Sequence, residues 1–153
     1  AAELGGDPDK LHLSGHSAGA HLAVMMMATD WKAFGSDLPA DPIKSVTAIS
    51  GVYDLDPIPH LSTNADIRLD AAMARNLSPM FMTPVVDVPL SVIVGLGELD
   101  EFVRQSKEFA ADWSSKLSNV EYTELPGLNH FTIVDTMDRA DDPITARMID
   151  YMV

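Results

Sequence analysis

Residues Gly15-His16-Ser17-Ala18-Gly19 set a serine between two glycines. This G-x-S-x-G spacing follows the apolar run LHLSG and precedes an Ala-, Leu- and Met-rich run from Ala18 to about Asp30. It predicts a sharp strand-to-helix turn. Such a turn strains the serine backbone and crowds its neighbours, so both flanking glycine positions are expected to need to be nearly bare. The Ser17 hydroxyl is thereby pushed out at the carboxyl edge of a sheet. The chemistry it could do there is acyl transfer. The amide of Ala18, at the helix start, could donate to the oxyanion that develops on an attacked carbonyl, helped by the helix dipole.

A serine hydroxyl is a poor nucleophile until a base takes its proton, and the base needs a carboxylate to orient it. The histidines are His12, His16, His21, His60 and His130. His12 falls within the apolar run, His16 and His21 within or just after the turn, and His60 in a proline-rich stretch; these four read as packing or surface. His130, in ELPGLNHF, follows the last predicted strand and shares the carboxyl edge with Ser17 if the strands are parallel. For the acid, VGLGELDEF offers Glu98, Asp100 and Glu101 after the third predicted strand. Glu98 stands on the exposed loop past Gly95 and is the first choice. Asp100 is expected to cap the following helix and is the reserve. All three carboxylates also suit an acidic first helical turn. The chain order serine, acid, histidine favours the catalytic reading of His130. His12 and His16 straddle a strand and a turn, so no metal site is expected, and the chemistry asks for no cofactor.

The elements that must position these residues alternate. Strands are predicted at LHLSG, at KSVTAIS around Val46 to Ser50, at LSVIVG between Pro89 and Gly95, and at VEYTEL from about Val120. Phe102, Phe109, Trp113 and Leu117 fall on one face of a helix beginning near Asp100. Asp142-Pro143 is a helix start, with Ile144, Met148, Ile149 and Met152 as its apolar face. This order predicts an α/β class with a mostly parallel sheet and helices on both faces. Residues 54–87 interrupt the rhythm. There, NADIRLDAAMARN reads as one helix, SPMFMTP as irregular chain, and the whole as an excursion that could shape a pocket.

Composition narrows the partners. The 153 residues are 46% apolar, enough for a core and about one domain's worth of chain. The formal net charge of -13 repels phosphate backbones and anionic lipid, so neither nucleic acid nor membrane is expected as a partner. No cysteine is present, which excludes disulfides and thiol catalysis. No run approaches the roughly 18 apolar residues of a membrane span, and the first ten residues have no basic-then-apolar pattern, so a cytoplasmic setting is expected.

The segments GGDPDKLHLSGHSAGAHLA, SGVYDL, ARNLSPM, VGLGELDEFVRQSKEF and LNHFTIVD resemble the α/β-hydrolases, and more narrowly the branch of kynurenine formamidases (arylformamidases) and related carboxylesterases. The resemblance covers nearly the whole chain. The turn around Ser17 is specific only to the superfamily, whereas DEFVRQS together with the HF that follows the last strand points to the branch. The resemblance implies Ser17 as nucleophile, His130 as base and Glu98 as acid, where many relatives carry aspartate. It implies hydrolysis of small amides or esters, N-formylkynurenine being the eponymous substrate of tryptophan breakdown. It further implies that residues 1–153 form one C-terminal part of the hydrolase domain, equivalent to strands five to eight. The departure lies at the front: the HGG-type loop that supplies a second oxyanion donor is missing, and losing such a donor costs about 3 to 4 kcal/mol in the transition state. The first strand should then expose an apolar edge, which offers a route to a homo-oligomer. Two alternatives follow, a hydrolase of simple esters and a non-catalytic fragment that binds through its open edge.

Overall fold

The computed structural model describes Glu3 and residues 5–153. Its centre is a parallel sheet in the order β1-β2-β3-β4, with β1 at Leu11–His16, β2 at Ile43–Ile49, β3 at Leu90–Gly95 and β4 at Val120–Leu125. Among the described residues, seven α-helices surround it: α1 (Ala18–Met27), α2 (Trp31–Phe34), α3 (Asn64–Ile67), α4 (Ala71–Asn76), α5 (Asp100–Trp113), α6 (Thr132–Asp135) and α7 (Pro143–Asp150). Every residue of β3 is buried, as the run LSVIVG, apolar except for Ser91, suits in a strand covered on both faces.

Alternation along the strands divides the core in two. Val46, Ala48, Leu90 and Val92 meet Ala20, Val24 and Met27 of α1 and Phe109 and Trp113 of α5. Ile49 and Ile93 point the other way, onto Ile133 of α6 and Ile144 of α7. Both faces therefore carry helices, as the segment order predicts. In α1 the buried residues are Ala20, Ala23, Val24 and Met27, one stripe of a 3.6-residue period. Burying a side chain the size of Met or Phe contributes about 1.5 to 3 kcal/mol, so these stripes hold the helices to the sheet.

The structure departs from the sequence expectation in several places. Helix α5 ends at Trp113, so Leu117 lies beyond it. Helix α1 stops at Met27 instead of near Asp30, because the Asp30 carboxylate accepts from the Ala33 amide at 3.0 Å and starts α2. Asp100 does not cap α5. Leu99 occupies the cap position with no side-chain hydrogen bond, and Asp100 is the first helical residue. Helix α7 does begin at Asp142, whose side chain accepts from the Ile144 and Thr145 amides. Its apolar face is narrower than the spacing suggests, since Ile149 and Met152 are exposed. The run NADIRLDAAMARN forms two helices, α3 and α4, not one. The Asn64 side chain both accepts from the Leu69 amide (2.8 Å) and donates to the Leu69 carbonyl (2.9 Å), Arg68 turns left-handed at φ 63°, and Asp70 then caps α4 through the Met73 amide. Side chain to backbone bonds here outcompete continuation of the helix.

The excursion at 54–87, which also holds a short 3-10 turn at Pro79–Phe81, is tied down at defined points. Tyr53 stacks flat on Phe109 at 4.1 Å, and Trp113 donates from its indole to the Pro79 carbonyl. The buried Gln105 amide accepts from the main-chain amides of both Tyr53 and Asp54. No helix among the described residues is long and apolar enough to cross a membrane.

Candidate active site

Parallel strands deliver their C-terminal ends to one edge, and the predicted residues meet there. Ser17 follows β1 directly, with φ 58°, and serves as the cap position of α1. Its amide donates to the Ile49 carbonyl at the end of β2, so the turn is anchored to the neighbouring strand. A side chain at positive φ costs on the order of 1 to 3 kcal/mol, which the surrounding packing must supply. The tightness of the turn falls on one glycine. A Cβ at Gly15 would lie 2.2 Å from the Gly19 carbonyl oxygen, whereas a Cβ at Gly19 would meet nothing within 4 Å among the described residues. The expectation that both glycines must be bare thus holds for Gly15 alone. Helix α1 consumes no hydrogen bond at the amide of its first residue, Ala18, which leaves that N–H beside Ser17 for an incoming oxygen.

His130 arrives on the loop after β4. Gly97 donates its amide to the Leu128 carbonyl at 2.8 Å, and that carbonyl also lies where a Cβ on Gly95 would sit, 2.3 Å away. The bare Gly95 therefore admits the histidine loop to the end of β3. Asn129 completes the clamp: its side chain accepts from the Phe131 and Thr132 amides, and Thr132 Oγ1 accepts in return from the Asn129 amide. With the loop fixed, His130 Nε2 lies 3.0 Å from Ser17 Oγ and His130 Nδ1 lies 2.6 Å from Glu98 Oε2. Glu98 has no exposed side-chain surface, while 20% of the His130 side chain remains accessible. A fully buried carboxylate needs donors at both oxygens. The second oxygen has them: Oε1 accepts from the Gly95 amide at 2.9 Å and from Ser50 Oγ at 2.5 Å. Asp100, the reserve acid, is exposed at the start of α5, and the carboxylate that meets His130 is that of Glu98.

Ser50 escaped the reading of the sequence. It ends β2 as Ser17 ends β1, also at positive φ (50°), and it is fully buried. The only signal for it was its place before Gly51 at a predicted strand end. The remaining histidines do other work. His12 bonds Ser45 Oγ, His21 bonds the Leu77 carbonyl, and His60 is exposed. His16, read as packing or surface, lies with its ring centroid 4.6 Å from that of His130, and Phe102 of α5 lies 4.4 Å from it. Burial holds the His16 imidazole below its ordinary value, and proximity to His130 lowers it further.

Phe102, whose ring meets that of His130, also lines an apolar cavity of about 250 Å³ with Val52, Ile58, Leu61 and Leu99. Glu101 stands at its wall. The Arg104 guanidinium pulls its carboxyl down to about 2, and the Gln105 amide adds to that effect. No group of three or more His, Asp or Glu side chains among the described residues is placed to share a metal ion. The site as built can pass a proton from a hydroxyl to an imidazole whose other nitrogen is held by a buried carboxylate, next to an apolar recess.

No family model matches the chain. It is 31% identical over 148 residues to the kynurenine formamidase of Salmo salar, covering 93% of this chain and 49% of that one. The kynurenine formamidase of Danio rerio is 31% identical over 132 residues, covering 83% and 44%. The chain thus spans about half the length of the curated relatives it matches. Among solved structures, a candidate thioesterase from Silicibacter sp. superposes with a TM-score of 0.77 at 26% identity, covering 90% of this chain and 49% of that one. A thermophilic carboxylesterase from a metagenomic library superposes at 0.68 and 18% identity, covering 99% and 58%, which speaks for the fold alone. The sheet order, the turn at Ser17 and these likenesses agree: the chain carries part of the α/β-hydrolase fold, and its sequence is similar to the kynurenine formamidases.

Proposed function

We propose that these residues are the C-terminal part of a serine hydrolase of small amides or esters, arylformamidase-like, with Ser17 as nucleophile, His130 as base and Glu98 as acid. The observation that carries the reading is the unbroken chain of contacts from Ser17 Oγ through His130 to Glu98. His130 Nε2 takes the hydroxyl proton as Ser17 Oγ bonds to the substrate carbonyl carbon. The carbonyl electron pair moves onto oxygen, which the Ala18 amide receives. As the tetrahedral carbon collapses, the proton passes from His130 to the departing amine or alcohol, leaving an acyl-serine that water clears by the same steps in reverse. Glu98 stays ionised throughout and stabilises the imidazolium.

Two substrate classes are compared directly. Likeness to kynurenine formamidases favours N-formylkynurenine over the alternative of simple esters. In the full-length protein, a fluorophosphonate should label Ser17 covalently, and turnover of N-formylkynurenine should exceed that of p-nitrophenyl acetate. A label that persists in Ser17→Ala would refute the mechanism. The reverse order of turnover would move the substrate to simple esters.

A further inference from the structure

The two hydrogen bonds to His130 fix its ring only at the ends. Glu98 holds Nδ1 and Ser17 meets Nε2, but rocking of the ring about the line joining those nitrogens is left to whatever touches its faces. Rings do so. His16 lies 4.6 Å away, tilted by 42°, and Phe102 lies 4.4 Å away, tilted by 41°. Phe131 adds only an edge at 5.6 Å and is itself largely exposed. We propose that His16 is a positioning residue for the base: its ring, with that of Phe102, holds the His130 imidazole in the plane that keeps Nε2 on Ser17. The proposal rests on the serine-hydrolase reading above.

Three features of His16 support it. It immediately precedes Ser17, so the ring that bears on the base is carried by the same strained turn that sets the nucleophile. Its Nε2 is buried without a hydrogen-bond partner among the described residues, so hydrogen bonding at that atom does not account for the side chain. An apolar side chain would avoid the cost of an orphaned nitrogen, which points to the tilted ring-to-ring contact with His130 as what the ring supplies. Finally, burial and the neighbouring His130 disfavour protonation of His16, although the His130 main chain and the Glu98 charge oppose this in part. A neutral ring can sit beside His130 when that group becomes cationic during attack, whereas two adjacent imidazolium ions would repel.

The test uses the full-length protein, with kcat and KM for p-nitrophenyl acetate and the rate of fluorophosphonate labelling at Ser17. His16→Leu, which fills space without a flat ring, should lower kcat and the labelling rate about tenfold or more while KM moves less than about twofold. His16→Phe, which restores the ring, should return kcat to within about threefold of the parent. Matching far-UV circular dichroism and melting curves of the two variants ensure that a difference is not one of folding. Unchanged kcat in His16→Leu, or His16→Phe no better than His16→Leu, overturns the proposal. Failure of the parent protein to label at Ser17 would instead overturn the hydrolase reading beneath it.

Discussion

Ser50 Oγ donates to Glu98 Oε1 at 2.5 Å, on the carboxylate oxygen opposite the one that meets His130. The acid is thus held from two sides, by a serine ending β2 and by the histidine loop after β4. A hydrogen bond to a charged group contributes about 1.5 to 3 kcal/mol. Losing it should let the carboxylate rotate away from His130 and lower kcat about 10- to 100-fold, with KM little changed. Ser50→Ala and Ser50→Gly both remove the hydroxyl, but glycine also relieves the positive φ. Steady-state kinetics should therefore show the two variants equally slow, and urea titration should show Ser50→Gly the more stable. A Ser50→Gly enzyme as fast as the parent would mean that the hydroxyl does not hold the acid.

The two candidate acids separate cleanly by substitution. Glu98 has no exposed side-chain surface and lies 2.6 Å from His130 Nδ1, while Asp100 is exposed at the first position of α5. Glu98→Gln should reverse the donor pattern that orients the imidazole and cost about a thousandfold or more in kcat. Asp100→Asn loses only a favourable charge at a helix start, about 0.3 to 1 kcal/mol of stability, and should leave kcat within about twofold. Comparable losses in both variants would contradict the assignment of the acid.

That Ser17, His130 and a carboxylate after the third strand should meet was legible because each follows a strand that local pattern reveals, and parallel strands must share a carboxyl edge. The sequence left Glu98 and Asp100 both open as that carboxylate. What supports them was not legible, for a physical reason. Ser50 before Gly51 looks like any strand-terminating pair, and its φ of 50° is set by packing at the end of β2, not by local preference. His16 touches His130 only after the whole sheet has formed. Similarly, the helical period of NADIRLDAAMARN is real, yet one asparagine that satisfies both main-chain groups of Leu69 ends the first helix early. Periodicity reports which face is apolar and is silent about such competing bonds.

The turn predicts opposite outcomes at its two glycines. At Gly15 an added methyl would lie 2.2 Å from a backbone oxygen, which no side-chain rotation can relieve. Gly15→Ala should destabilise by more than about 3 kcal/mol, at or beyond the upper end of ordinary overpacking, or prevent folding. Gly19 lies inside α1 with open space around its α-carbon among the described residues. Gly19→Ala should then be neutral, or stabilising by up to about 1 kcal/mol through helix propensity. Melting curves of the two variants measure this, and similar losses at both positions would show that the space beside Gly19 is filled in the folded protein.

Glu101 gives a pH signature with a defined sign. The Arg104 guanidinium, and secondarily the Gln105 amide, lower its carboxyl to about 2 in the folded state from the usual 4.5. A depressed carboxylate contributes stability that is fully present above about pH 4.5 and is lost as pH falls towards 2. Both partners are substantially exposed, at 43% and 44% of their side-chain surface, so solvent screening keeps the contribution below about 1 kcal/mol. Glu101→Gln should therefore lower the urea midpoint slightly at pH 7. The gap between variant and parent should shrink through pH 4 and 3, and close near pH 2. Titrations across that range at low salt would show it most clearly, because salt weakens an exposed pair. A gap that persists unchanged at pH 2 would assign the stabilisation to the uncharged hydrogen bonds of the side chain instead of to its charge.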